Sequence, residues 1–340
     1  MLSNEQSKAI NYSLLAITIN RGKGSKVMQF MQEMGIYGAS CLFGKGTIKN
    51  EILQLLEMNE VKKEVIFAVI PSEREDEIME QLNKKFQLYK QNHGIAFSMP
   101  LANILNMNKE ADIKWGNNVG APDNQSNYSA VYVIVDKGKA ETVIEISQKA
   151  GYYGGTIIKA HGSAGKLNIV LDMPVEAEKE LVLILTESKR MKQLSTLLYE
   201  YFSLKEANTG ALYVTDVSKT IGLFQELDSQ QEEYKKIAGK SYLIMAKVPL
   251  GYSEIVIKGA NDAGATGGTL LKARGERTPA KGGLFDFKIE PEEEIVLIMA
   301  EQDIAEKICN TIHKDYSKIK KKGVLYIQPI YRMDDNSTMQ

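Results

Sequence analysis

The apolar positions of this chain follow two periods in turn. Residues 16–20 (Ala-Ile-Thr-Ile-Asn) alternate as a strand does. Val27, Phe30, Met31 and Met34 then follow at i, i+3, i+4 and i+7, which is one face of a helix. Arg21-Gly-Lys-Gly24 supplies the turn between them, and Gly35 stops the helix. Residues 40–43 read as a second strand. Residues 65–70 are continuously apolar, the pattern of a strand buried on both faces. After Pro71 and Ser72 a second helix carries Ile78, Leu82 and Phe86, and 94–99 reads as a last strand.

The same order returns twice. Strands are predicted over 131–135, 156–159, 181–185 and 211–214, with helices over 139–149 and 188–201. Strands follow over 242–248, 269–272, 295–299 and 324–327, with helices over 252–262 and 303–316. Gly22, Gly38, Gly46, Glu64 and Gly94 stand 116 residues before Gly138, Gly154, Gly162, Glu180 and Gly210. Gly138, Gly154, Gly162 and Gly210 stand 113 before Gly251, Gly267, Gly275 and Gly323. A constant offset of this kind marks internal repeats. The plan β-α-β-β-α-β is the ferredoxin-like arrangement, with helices on one face of a four-stranded sheet. The fold expected is α+β: three tandem ferredoxin-like domains, 12–105, 130–221 and 241–332. The linkers are 106–129 and 222–240, and the tail 333–340 reads as disordered. Each sheet has one uncovered apolar face, so the three are expected to pack those faces together as a single-chain pseudo-trimer. Trp115 would pin the first linker to the body.

Composition narrows the function. The chain has 340 residues, 44% hydrophobic and 25% charged, with a net charge of −1. That charge gives no footprint for nucleic acid. No apolar run reaches the length of a membrane span, and the first residues lack the pattern of a signal peptide. Two cysteines, Cys41 and Cys309, are too few for a disulfide framework, so the expected home is the cytoplasm. His93, His161 and His313 fall at non-equivalent positions and suggest no metal site. No paired acid–base motif is visible, so the chain is read as a non-enzyme.

Arg21-Gly-Lys-Gly-Ser-Lys26 lacks the full phosphate-loop pattern. It reads as a turn into a helix, where outward N–H groups leave room for a weak anion site. The glutamates before the third strand of each repeat read as solvated charge at a strand start, with a cation site at Glu292, Glu293 and Glu294 as the lesser alternative. The basic, glycine-rich stretch 274–283 reads as a docking loop carrying Arg274, Arg277 and Lys281.

These features resemble the PII nitrogen-regulatory signalling proteins. The likeness rests on the element order, on the glycine-rich entry to Thr269-Leu-Leu-Lys-Ala-Arg-Gly275 and its counterparts from Thr156 and Ser40, and on the close of the last strand at Pro329. It implies a trimer-like body with loops after Gly46, Gly162 and Gly275 that dock onto an enzyme or a membrane transporter. It also implies a small metabolite, ATP, ADP or AMP, bound in clefts between repeats. The residues placed at those clefts are Ser40, Lys45, Gly46, Thr156, His161, Gly162, Thr269, Arg274 and Gly275. Where that family has Gly-Lys at the start of the last strand, this chain has Ile95, Ala211 and Val324 after the glycine. Lys320 and Lys322 could replace that lysine in the third repeat. The expected function is metabolite sensing that regulates an enzyme or transporter in nitrogen metabolism, by a chain that needs no partner subunit. The alternative is a small-molecule or metal-binding module without a signalling role.

Overall fold

The first strand of each segment alternates between two buried faces. In β1 (Tyr12–Asn20) Leu14 and Ala16 point to one core, while Leu15, Ile17 and Ile19 point to another. β6 (Tyr128–Asp136) divides Ala130, Tyr132 and Ile134 from Val131, Val133 and Val135 in the same way. β13 (Ser241–Pro249) divides Leu243 and Met245 from Ile244, Ala246 and Val248. A strand buried on both faces has no polar side to show, which is why residues 65–70 read as an unbroken apolar run. The computed structural model describes residues 11–47, 61–107, 127–152, 154–162, 168–170, 173–175, 177–206, 209–223, 241–276, 278–279, 288–289, 291–319 and 321–332.

The first segment holds β1, α1 (Gly24–Glu33), β2 (Ser40–Thr47), β3 (Val61–Pro71), α2 (Glu75–Phe86), β4 (Gly94–Pro100) and β5 (Asn103–Asn106). The second holds β6, α3 (Ala140–Lys149), β7 (Gly155–Gly162), the short β8 (Asn168–Val170) and β9 (Met173–Val175), β10 (Ala177–Glu187), α4 (Ser188–Tyr201), β11 (Ala211–Asp216) and β12 (Lys219–Ile221). The third holds β13, α5 (Ser253–Asp262), β14 (Thr269–Gly275), β15 (Thr278–Pro279), β16 (Lys288–Ile289), β17 (Glu292–Glu301), α6 (Gln302–Tyr316) and β18 (Val324–Arg332). Asn106 and Tyr128–Ser129, expected in a linker, lie in strands. Trp115 and the tail 333–340 lie outside the described residues.

The expected fold needs correction here. Three separate ferredoxin-like domains, each with its own sheet, are not what the strands build. One sheet of 14 strands runs through all three segments. β10, β6, β11, β18, β13, β17, β14, β2 and β7 pair in sequence, and β7 pairs back to β10, so nine antiparallel strands close into a barrel. β3, β1, β4, β12 and β5 extend it. The description as a chain of tandem repeat domains falls with the separate sheets. The reason is that β2, β7 and β14 each offer a free edge, and an unpaired edge seeks another strand. Gly44–Thr47 of β2 lies against β7, Gly162 and His161 of β7 lie against Thr269 and Leu270, and Arg274 and Gly275 of β14 lie against Cys41 and Ser40. At the other ends of the segments β5 pairs β18, β12 pairs β4, and the end of β18 pairs β11.

Inside the barrel one core gathers Phe67 and Phe97, Tyr132 and Tyr213, and Met245 and Leu297 from the three segments. Tyr132 and Tyr213 stack with centroids 4.7 Å apart, and the Tyr132 hydroxyl donates to Met99 Sδ at 3.2 Å. Outside, each pair of helices covers one third of the sheet with its own core. α1 buries Val27, Met28 and Met31 on the stripe its spacing predicts, and α2 buries Ile78, Met79 and Leu82.

Candidate ligand cleft

Each segment uses the same device to fix its first helix. Glu64 Oε2 accepts the backbone N–H of Gly22 at 3.0 Å and of Gly24 at 2.6 Å. Glu180 does the same for Gly138 and Ala140, and Glu294 for Gly251 and Ser253. A carboxylate on orphan N–H groups at a helix start is favoured by both hydrogen bonding and the helix dipole. The N–H groups of Gly22 and Gly24, which left room for a weak anion site at Arg21–Lys26, are therefore taken by the protein's own carboxylate. Glu294 serves the helix, Glu293 accepts from Ser40 Oγ at 2.7 Å, and Glu292 is exposed, so these three do not converge on a cation. Among the described residues no group of three or more His, Cys, Asp or Glu is arranged to hold a metal.

The residues singled out in the sequence gather at three strand junctions. Lys45, Gly46 and Thr156 meet where β2 joins β7; His161, Gly162 and Thr269 meet where β7 joins β14; Ser40, Arg274 and Gly275 meet where β14 joins β2. Lys322 is exposed just before β18, and Lys320, Arg277 and Lys281 lie outside the described residues.

The three junctions differ in charge. The residue before the capping glutamate is Lys63, Lys179 or Glu293. At the β7–β14 junction Lys179 Nζ lies 2.6 Å from Asp136 Oδ1, so a carboxylate answers the ammonium. Burial alone would push the Asp136 carboxyl up, but hydrogen bonds from Lys179 and Lys139 outweigh it and hold it below its usual range. At the β14–β2 junction a Glu takes the lysine's place, and the space is closed by the protein's own groups. Glu293 pairs with Lys247 at 3.2 Å. Glu276 accepts from the Ala39 N–H at 2.8 Å and from Gln32 Nε2 at 2.9 Å. Arg274 was read as a docking-loop residue, yet it sits in β14 with Nη2 2.7 Å from Glu64 Oε1 and Nη1 2.8 Å from Ser25 Oγ.

Among the described residues a cavity of about 250 Å³ opens at the β2–β7 junction, and Gly46 and Thr156 are among its lining residues. Phe97, Leu183, Leu185 and Leu223 give it an apolar floor. Lys63 supplies a cation whose hydrogen-bond partner is the neutral Asn20 Oδ1 at 2.6 Å. Burial, and then the neighbouring charge of Lys23, hold the Lys63 ammonium below the usual lysine range. Thr18 also lines the cavity; its hydroxyl is buried, with no hydrogen-bond partner among the described residues. Lys45 stays at the rim in an ion pair with Glu141 of the second segment. Sequence reasoning missed Lys63 and Thr18. Lys63 was legible as the position where the three segments disagree in charge.

No family model matches the sequence, and no curated protein does. Two solved structures are similar to the chain at a low level. One is aspartate kinase from Synechocystis, with a TM-score of 0.22 at 8% identity over 94% of this chain. The chain spans 43% of that kinase's length. The other is an anthrone oxidase-like protein, with a TM-score of 0.18 at 9% identity over 66% of this chain and 98% of its own. At such scores neither likeness bears on fold or chemistry. The ferredoxin-like and tandem-repeat labels fall with the single sheet that runs through all three segments, and no family match supports the P-II label.

Proposed function

We propose that the protein senses a small anionic metabolite in the β2–β7 cleft and passes the signal to an enzyme or transporter through the loop that follows β2. The supporting observation is the unequal charge of the three junctions. Among the described residues the Lys63 charge has no carboxylate partner, whereas Lys179 has Asp136 and the third position is an acid. An apolar floor, one buried cation and an unmet Thr18 hydroxyl suit a ligand with a flat apolar part and an anionic end. Adenine nucleotides, ATP, ADP or AMP, have that form. The process assigned, nitrogen regulation, rests on the resemblance of the sequence motifs alone.

The cleft stands at both roots of that loop. Thr47 ends β2 and lines the cavity, and Lys63 lies two residues after Val61 begins β3. A ligand shifts a conformational population only by its differential affinity for the two states.

Thermal shift and titration calorimetry with ATP, ADP and AMP test the reading. At least one should raise the melting temperature of the full chain, because a ligand that binds only the native state stabilises it. Lys63→Gln should weaken that binding about tenfold, the usual scale for one charged hydrogen bond, while Lys179→Gln should not. Silence from all three nucleotides at millimolar concentration would remove the nucleotide assignment.

A further inference from the structure

A second cavity, of about 400 Å³, lies on the outer surface of the first segment, between the start of α1 and the end of α2. Among the described residues its lining is Lys23, Lys26, Lys85, Phe86, Gln87 and His93, with no acidic side chain. Lys23 and Lys26 stand three apart at the start of α1, so they share a face. Neither makes an ion pair with a described residue. Lys85 Nζ lies 5.3 Å from the centre of the Phe30 ring. Phe30 in turn packs edge-on against Phe86 with centroids 5.9 Å apart. His93 Nδ1 lies 3.3 Å from the Phe86 carbonyl, which can only accept, so Nδ1 carries the proton and Nε2 is the other nitrogen.

Gathering three ammonium groups in one concavity is unfavourable without a counter-charge, and a cleft lined by one sign concentrates the opposite one. The whole chain carries a net charge of −1, so a general excess of lysine does not account for the cluster. Nor do the other segments repeat it. Counting from the capping glutamates, the glycines before the last strands and the buried positions of the second helices, the same places hold Lys139, Thr142, Tyr201 and Thr209 in the second segment, and Tyr252, Ile255, Asp315 and Lys322 in the third. The body packs as well without the cluster in two places out of three, so packing does not require it in the first. The N–H groups of Gly22 and Gly24 already bond to Glu64, which leaves the side chains to do the binding.

We propose that this cavity is a binding site for a multiply charged phosphate group on a small soluble molecule, held by Lys23, Lys26 and Lys85. It is independent of the β2–β7 cleft and stands whether or not that cleft takes a nucleotide. A concave site confined to one segment of a chain that is not basic overall favours a compact anion over nucleic acid.

Titration calorimetry of the full chain with inorganic pyrophosphate tests it. One saturable site is expected, weaker at about 150 mM than at about 20 mM salt because the lysines are partly exposed and screened. The Lys26→Gln, Lys85→Gln double variant should bind at least tenfold more weakly with an unchanged melting temperature. Lys63→Gln, which removes a charge near Lys23 but none that lines this cavity, should weaken binding less than the double variant does. Absence of heat with the parent chain overturns the proposal, and so does parental affinity in the double variant. Loss of binding in Lys63→Gln with retention in the double variant overturns it too, since pyrophosphate would then occupy the inter-segment cleft.

Discussion

Glu64, Glu180 and Glu294 perform one task in three settings, which makes them an internal comparison at the scale of single residues. Each accepts two backbone N–H groups at a helix start. Among the described residues Glu64 alone of the three also holds an arginine, Arg274, with side chains 3% and 17% exposed. Removing one partner of a buried ion pair strands the other charge and costs about 3 kcal/mol, whereas losing the charge on a backbone cap costs about 1 kcal/mol. Glu64→Gln should therefore destabilise the protein about 2 kcal/mol more than Glu180→Gln or Glu294→Gln. Urea unfolding of the three variants at neutral pH gives the comparison; equal losses would show that Arg274 adds nothing to the cap. The sequence marked Glu64 and Glu180 by their equal spacing and placed charge at the start of the third strand. It did not give the role, because the N–H groups they serve lie about 40 residues earlier, and no local period spans that distance.

At the scale of elements, helices and strands were largely legible. Residues 188–201 were read as a helix and form one, and 269–272 opens the strand Thr269–Gly275. The short edge strands were not. Lys219–Ile221 was read as the end of a domain and Gly222 as the start of a linker, yet β12 pairs with β4 and Gly222 anchors it. Gly222 has φ +83°, and a Cβ there would stand 2.3 Å from the Gly94 carbonyl oxygen. Both the conformation and the contact exclude a side chain. Gly222→Ala should cost about 2 kcal/mol or more. It should also speed amide hydrogen exchange in Lys219–Ile221 while the barrel strand β6 stays protected. A parental melting temperature with unchanged exchange would mean that this tail contributes little to the sheet. The need for glycine comes from a carbonyl more than 100 residues away, which explains why composition alone suggested only a linker.

For the whole molecule, the sequence led to helices over one face of each sheet and to the three bare faces packed together, but not to strands that join across segments into one sheet. Edge pairing between segments is made by backbone groups, and these leave no mark in side-chain order. That is why three sheets were expected where one sheet closes on itself. The difference has a measurable consequence. Domains with separate sheets and separate cores can unfold one at a time, whereas strands that share a ladder and a core lose their support together. Here Phe97 of the first segment, Tyr132 of the second and Leu297 of the third lie in one core, and β2, β7 and β14 hydrogen-bond in a ring. Opening any one segment exposes the inner face of the other two and breaks two junctions at once. Scanning calorimetry should therefore show one transition for the three segments, with the calorimetric enthalpy equal to the van't Hoff enthalpy. Leu183→Ala, which removes a side chain lying in both the shared core and the cleft floor, should lower that single transition by about 3 kcal/mol without splitting it. Two or three resolved transitions, or a calorimetric enthalpy well above the van't Hoff value, would show that the segments fold apart and that the junctions, the cleft among them, form only as a secondary docking step.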